Sequence, residues 1–155
     1  MTAFTGAPWV PTGGRTVQSM LEIANVGSGD IVFDLGSGDG RIIFAAARKG
    51  AKSIGIDINP FWILWCKVRS LLYGFQDSVK FVYGNFFDHD LSEASVVTMY
   101  LLQETNERIQ NKLASELEIG ARVVSHVFTF PGWTPVHEDK KTDIHLYVIG
   151  RSNQD

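Results

Sequence analysis

The stretch Ile31-Val32-Phe33-Asp34-Leu35-Gly36-Ser37-Gly38-Asp39-Gly40-Arg41 constrains the fold of this chain more than any other. Apolar residues around a single acid read as a buried strand, and the strand runs straight into glycines at three alternate positions. A helical pattern from Arg41 to Lys49 follows, closed by Gly50. Glycines at such a turn let the backbone bend sharply and let a ligand lie against it unobstructed by side chains. In the dinucleotide pattern G-x-G-x-x-G, the sixth position falls on Arg41 counted from Gly36 and on Ile43 counted from Gly38, so neither frame fits. No Gly-Lys-Ser/Thr follows, which excludes a Walker loop. The pattern that remains is D-x-G-x-G-x-G.

The same alternation continues along the chain. Val17, Met20, Leu21 and Ala24 have helical spacing, with Thr12 as candidate N-cap. Strands are expected over 53–58, 79–83, 96–101 and 122–128. A helix from Pro60 to about Tyr73 starts on Asn59 and stops at Gly74. Ile109, Leu113 and Leu117 mark another helix, ended by Gly120. After Pro131, Gly132 and Pro135, an exposed turn at Asp139-Lys140-Lys141 leads to Ile144-His145-Leu146-Tyr147-Val148, which alternates as a half-buried strand. Alternating strands and helices imply an α/β fold with a mostly parallel sheet, and the closing strand-turn-strand adds an antiparallel edge. Ligands of such sheets bind at the carboxyl ends of the strands, where the strand order switches.

The length of 155 residues, 45% of them hydrophobic, fits one domain over 1–155. A net charge of −3 argues against a broad nucleic-acid footprint. The one cysteine, Cys66, leaves no intrachain disulfide and no cysteine-built metal site, and no metal is expected. Met1 to Thr12 lacks the basic-then-apolar pattern of a signal peptide, and no apolar run nears the ~20 residues of a membrane span. A cytoplasmic location is the expectation.

The strand Ile54-Gly55-Ile56-Asp57 ends in a carboxylate about 20 residues beyond the loop, where an acid can accept both hydroxyls of a ribose. The loop and Asp57 together resemble the S-adenosylmethionine site of class I methyltransferases, over nearly the whole chain. The resemblance implies a Rossmann-like, seven-stranded fold. It implies that Asp34, Gly36, Ser37, Gly38 and Gly40 hold the methionine end, and that Asp57 and Ile58 meet the ribose and its surroundings. Asn85 and Phe86 would meet adenine. Asp is common in such enzymes at the position of Asn85, whose amide oxygen can nevertheless accept from an exocyclic amine. The irregular segment 1–12, with Thr12, would close over the cofactor.

Six segments narrow the resemblance: Val10-Pro11-Thr12, the loop itself, Gly84-Asn85-Phe86-Phe87, Tyr100-Leu101-Leu102, Val124-Ser125-His126 and Pro131-Gly132-Trp133. In this order they resemble the small archaeal broad-specificity protein-lysine methyltransferases and their mitochondrial relatives. The loop and Asn85-Phe86 are also similar to the non-SET histone lysine methyltransferases. Gly13 stands where members commonly have Pro, and Val127 where they often have Asp. The resemblance implies direct methyl transfer to a lysine amine of a protein substrate. Tyr100 would touch both cofactor and amine, Leu102 would help shape a narrow passage, and His126 reads equally as a site residue or an ordinary strand-end histidine. Two alternatives stay open: a methyltransferase of small molecules or RNA, and a non-catalytic S-adenosylmethionine binder.

The helix from Pro60 to Tyr73 is apolar on more than one side. Phe61, Leu64, Trp65, Val68, Leu71 and Leu72 form a stripe broad enough to cover the sheet. A second stripe, Trp62, Cys66, Arg69 and Tyr73, is then either covered by neighbouring loops or a contact surface, most simply for a homodimer. A membrane contact is the weaker alternative.

Overall fold

The computed structural model describes residues 12–154. Val10, Pro11 and the rest of the segment expected to close over the cofactor lie outside the described residues, whereas Thr12 lies within them. The elements are α1 (Gly14–Ile23), β1 (Ile31–Leu35), α2 (Arg41–Arg48), β2 (Lys52–Asp57), α3 (Pro60–Leu72), β3 (Val79–Tyr83), a 3-10 turn at Phe86–Asp88, β4 (Val96–Met99), α4 (Gln103–Glu116), β5 (Arg122–His126), β6 (His137–Asp139) and β7 (Ile144–Val148).

The strands form one seven-stranded sheet of order β3-β2-β1-β4-β5-β7-β6. β1 to β5 are parallel, and β7 is antiparallel to both β5 and β6. The order reverses between β1 and β4, which opens a crevice above their carboxyl ends. Successive side chains along each strand point to opposite faces. Val32, Val96 and Val124 pack under Met20 and Leu21 of α1 and Ile42 of α2, while Phe33, Val97 and Val123 pack with Ile109 and Leu113 of α4. Both faces are thereby buried, as a parallel sheet requires.

Several expected boundaries move. Gly13, not Thr12, caps α1, and no side chain assists it. β4 ends at Met99, so Tyr100 and Leu101 leave the ladder. β5 ends at His126 because Val127 adopts φ 71. The Phe128 N–H then turns back to the His126 carbonyl at 2.9 Å, a left-handed γ-turn that ends the strand. α4 ends at Glu116, short of Gly120, because Leu117 turns extended and buries its side chain.

The largest correction concerns α3. Ile63, Cys66 and Ser70 are its buried residues, and the broad stripe expected on the sheet faces outward. The expected contact stripe is engaged within the molecule. Arg69 Nη1 donates to the Asp39 carbonyl at 2.8 Å, and its guanidinium lies 5.0 Å from the Phe44 ring and 5.3 Å from that of Tyr73. Phe44 and Tyr73 meet edge-on at 5.6 Å. Arg69 is thereby turned inward, while Trp62 stays half-buried and Tyr73 is 49% exposed. The reason the broad stripe faces outward is the tightness of the seat beneath α3. A Cβ on Gly40 would come within 3.0 Å of Cys66 Sγ and of the Phe81 ring, so at that point the sheet side takes the small Cys66 and no larger side chain.

Candidate active site

Gly36, Gly38 and Gly40 have φ of 81, 53 and 78°, the left-handed region that L side chains rarely adopt. The turn they make is pinned from β2: the N–H groups of Gly36 and Ser37 both donate to the Ile56 carbonyl, at 2.8 and 3.1 Å. Gly40 caps α2. The Ser37 side chain turns down against β2, where a Cβ on Gly55 would lie 2.7 Å from Ser37 Oγ. This hydroxyl is buried with no hydrogen-bond partner.

The acids take unequal positions. Asp57, at the end of β2, accepts from Gly38 N on Oδ2 and from Asn59 N on Oδ1, both at 2.8 Å. Its half-buried carboxylate keeps a second lone pair on each oxygen. Asp34, in β1, is 3% exposed. Burial pushes its carboxyl up to about 7, although Thr98 Oγ1 donates to Oδ1 at 2.8 Å; the charges of Asp57 and Asp39 push the same way as burial. Burial would also raise Asp39, but the Arg41 guanidinium, 2.6 Å away, overrides it and holds that carboxyl below the usual range. Arg41 Nη1 also donates to the Thr12 carbonyl at 2.8 Å, which ties Thr12 to the end of the glycine loop.

Beyond β3, Asn85 Oδ1 accepts from Phe87 N at 3.0 Å and so caps the 3-10 turn. The Phe86 ring is 7% exposed and belongs to the core, 5.0 Å from Phe87; its backbone, not its ring face, is what it offers a ligand. Ile58 is exposed beside Asp57. At the opposite side of the crevice the rings of Tyr100 and His126 meet with centroids 4.4 Å apart and planes tilted by 48°. Burial holds the His126 imidazole below its usual value, against the pull of Asp143, which favours the uncharged ring. Leu102, 44% exposed, forms the N-cap of α4, and Leu101 presses on the loop, 3.2 Å from where a Cβ on Gly36 would be. From His126 an open cleft continues between the first turn of α1 and the β6–β7 turn, with Arg15, Asp139, Lys141 and Asp143 on its walls.

The structure thus gathers Asp34, Gly36, Ser37, Gly38, Gly40, Asp57, Tyr100 and His126 at one end of the sheet, with Thr12, Ile58, Asn85, Phe86 and Leu102 at its margins. Sequence reasoning assigned no site role to Thr98, nor to Asp39 and Arg41 of the loop or Arg69 of the second stripe. Thr98 had a signal, a lone hydroxyl within Val96-Val97-Thr98-Met99, opposite Asp34 in the β1–β4 register. The residues fit a ligand that carries both hydroxyls and positive charge. Among the described residues no cation lowers this buried carboxyl at about 7, and S-adenosylmethionine brings a sulfonium and an ammonium that would ionise it. Among the described residues, no group of His, Cys, Asp and Glu is placed to hold a metal ion.

A sheet of this order, a glycine loop closing β1 and a carboxylate closing β2 define a Rossmann-like methyltransferase of the S-adenosylmethionine-dependent class. Within that class, the chain belongs to the ANTKMT methyltransferase domain family, whose profile matches residues 34–137. It is 46% identical over 151 residues to a Saccharolobus islandicus protein-lysine N-methyltransferase, covering 92% of this chain and 94% of that one. It is 33% identical over 130 residues to the Mus musculus adenine nucleotide translocase lysine N-methyltransferase; that match takes 83% of this chain but spans only 56% of the mouse protein. Among solved structures, a Salinibacter ruber protein described as an RNA methyltransferase, in complex with S-adenosyl-L-homocysteine, superposes with a TM-score of 0.87. It is 40% identical, and the match covers 90% of this chain and 94% of that chain. A Thiobacillus denitrificans methyltransferase, at 22% identity and a TM-score of 0.66, shares the fold.

Proposed function

We propose that the chain transfers methyl groups from S-adenosylmethionine to lysine amines of proteins. The observation that carries this reading is the match, over nearly the full length of both chains, to the archaeal protein-lysine N-methyltransferase. The geometry supports it. The cofactor, when bound, supplies an electrophilic methyl group on a sulfonium. Asp57 accepts from the ribose hydroxyls while still holding Gly38. Asp34, ionised by the cofactor's positive charge, retains the methionine end, with Thr98 fixing its orientation. The backbones of Gly36, Ser37, Gly38 and Gly40 give the cofactor a surface without side chains. Asn85 and the Phe86 backbone flank adenine, Ile58 packs nearby, and Thr12 joins the rim through Arg41.

A lysine amine attacks only when neutral, and with a reference pKa of ~10.4 its deprotonation at pH 7 costs about 4–5 kcal/mol. His126, held below its usual value, is a weak base and does not supply that energy. It serves instead as an uncharged wall that does not repel the incoming ammonium. Together with Tyr100 and Leu102 it lines an apolar approach that favours the neutral amine by desolvation. The Tyr100 hydroxyl accepts from the amine and directs its lone pair. A reducing compartment such as the cytoplasm suits the unpaired Cys66 thiol.

The Salinibacter relative favours a second reading, methylation of RNA. The net charge of −3 and the mixed charges of the cleft beside His126 weigh against it. Incubation with methyl-labelled cofactor, a panel of lysine-rich proteins, and RNA decides between them. Label recovered as methyl-lysine after acid hydrolysis is the expected result; label confined to RNA overturns the lysine reading.

A further inference from the structure

The outward face of α3 takes no part in the chemistry above. Phe61, Leu64, Trp65, Val68, Leu71 and Leu72 are 80, 63, 54, 42, 66 and 76% exposed. They recur at i, i+3, i+4, i+7, i+10 and i+11, the spacing with which two helices interlock along a seam. Lys67 is the only charged side chain of α3 that is exposed, and it flanks the seam rather than interrupting it, since Arg69 is turned inward onto Asp39.

The size of this face indicates its occupant. At roughly 150–250 Å² for each aromatic side chain and somewhat less for Leu and Val, these six leave on the order of 700 Å² of apolar surface uncovered. That exceeds the ~300–600 Å² patch of an ordinary monomer. It is close to the ~800 Å² that each partner contributes to a stable interface of standard size. A bilayer is a poorer match. Interfacial helices bind lipid through a basic rim, and this helix offers one lysine on a chain of net charge −3.

We propose that this face is the interface of a homodimer, in which α3 packs antiparallel on the α3 of a second copy about a two-fold axis. The contact is then isologous. Phe61 of one copy lies over Leu72 of the other, and Trp65 lies against Val68 beside the axis. The proposal does not depend on the lysine reading, because it invokes no substrate.

Sedimentation velocity of the full chain at roughly 1 to 100 µM tests it, since a dimer of moderate affinity declares itself by concentration dependence. The wild type is expected to sediment as a dimer. Val68→Glu combined with Leu72→Glu is expected to weaken self-association at least 100-fold while calorimetric cofactor affinity stays unchanged. If the double variant fails to fold, Val68→Cys decides, because Cys66 is buried: a short bismaleimide is expected to join two copies. A wild type that is monomeric throughout overturns the proposal, as does a dimer that survives the double substitution or a Val68→Cys protein that does not cross-link. A monomer that floats with phosphatidylglycerol vesicles also overturns it and assigns the face to lipid.

Discussion

The backbone N–H of Gly38 donates to Asp57 Oδ2 at 2.8 Å, so the acid that ends β2 holds the glycine loop of β1 before any ligand arrives. One side chain therefore shapes the loop and presents lone pairs to the ligand. Asp57→Ala should lower cofactor affinity at least tenfold, because each charge-assisted bond is worth roughly 1.5–3 kcal/mol. It should also speed hydrogen exchange at Gly38. Calorimetry showing wild-type affinity in a folded Asp57→Ala protein would remove Asp57 from the site.

Asp34 makes a prediction in which stability and binding part company. Its carboxyl is raised to about 7 in the folded chain by burial, well above its value when unfolded. The folded state therefore holds the proton more tightly. Stability falls as pH rises from about 4 towards 7 and stays low above that. Asp34→Asn keeps an acceptor for Thr98 and removes the charge. The variant should melt several degrees higher than wild type at pH 8, and the gain should vanish near pH 4. Cofactor binding should nonetheless be lost. In the wild type, cofactor affinity should rise with pH up to about 7 and then level off. A pH-independent affinity between pH 5 and 8 would contradict this role.

Tyr100 and His126 should separate binding from turnover. Tyr100→Phe keeps the ring that meets His126 at 4.4 Å, and Tyr100→Ala removes it. With a lysine-rich protein as substrate, Phe should lose about tenfold in kcat and Ala about 100-fold or more, since misalignment of this order costs ~10²-fold. Both should bind cofactor within about threefold of wild type. Equal turnover by Tyr100→Ala would place the amine elsewhere.

Val127 carries backbone strain next to that ring pair. A β-branched residue at φ 71 costs about 1–2 kcal/mol, and glycine would not incur this. Val127→Gly should therefore stay within about 0.5 kcal/mol of wild-type stability in urea, where the extra freedom of glycine offsets the relieved strain. Val123→Gly, at a fully buried position of β5, should cost several times more.

The alternation of strands and helices and the loop were legible because both rest on local patterns. Apolar strands that end in glycine or acid, and helices that begin on Asn59 or stop at Gly74, announce themselves within a few residues. Asp34 and Asp57 were legible for the same reason. The orientation of α3 was not, since amphipathic reasoning assigns the most apolar arc to the core. Here the seat beneath the helix is set by the distance of closest approach to Gly40 and Phe81, which takes Cys66 and no larger side chain and leaves Phe61 and Trp65 outside. Nor could sequence foretell that Asn85 spends its carbonyl on Phe87 N, or that Arg69, 30 residues from Asp39, reaches its carbonyl.

Cys66 lies directly beneath the glycine loop, its thiol donating to the Gly38 carbonyl at 3.4 Å and pushed up to about 12, chiefly by burial. A thiol so placed reacts with an aromatic disulfide reagent only when the loop lifts off α3. As the single cysteine of the chain, it is a built-in clock for that opening: its modification rate, once it no longer rises with reagent concentration, is the opening rate of the loop, without any label having to be introduced. If the loop must open for exchange of the spent cofactor, the rate of colour development at saturating reagent, where every opening is trapped, sets an upper bound on how fast the enzyme can cycle.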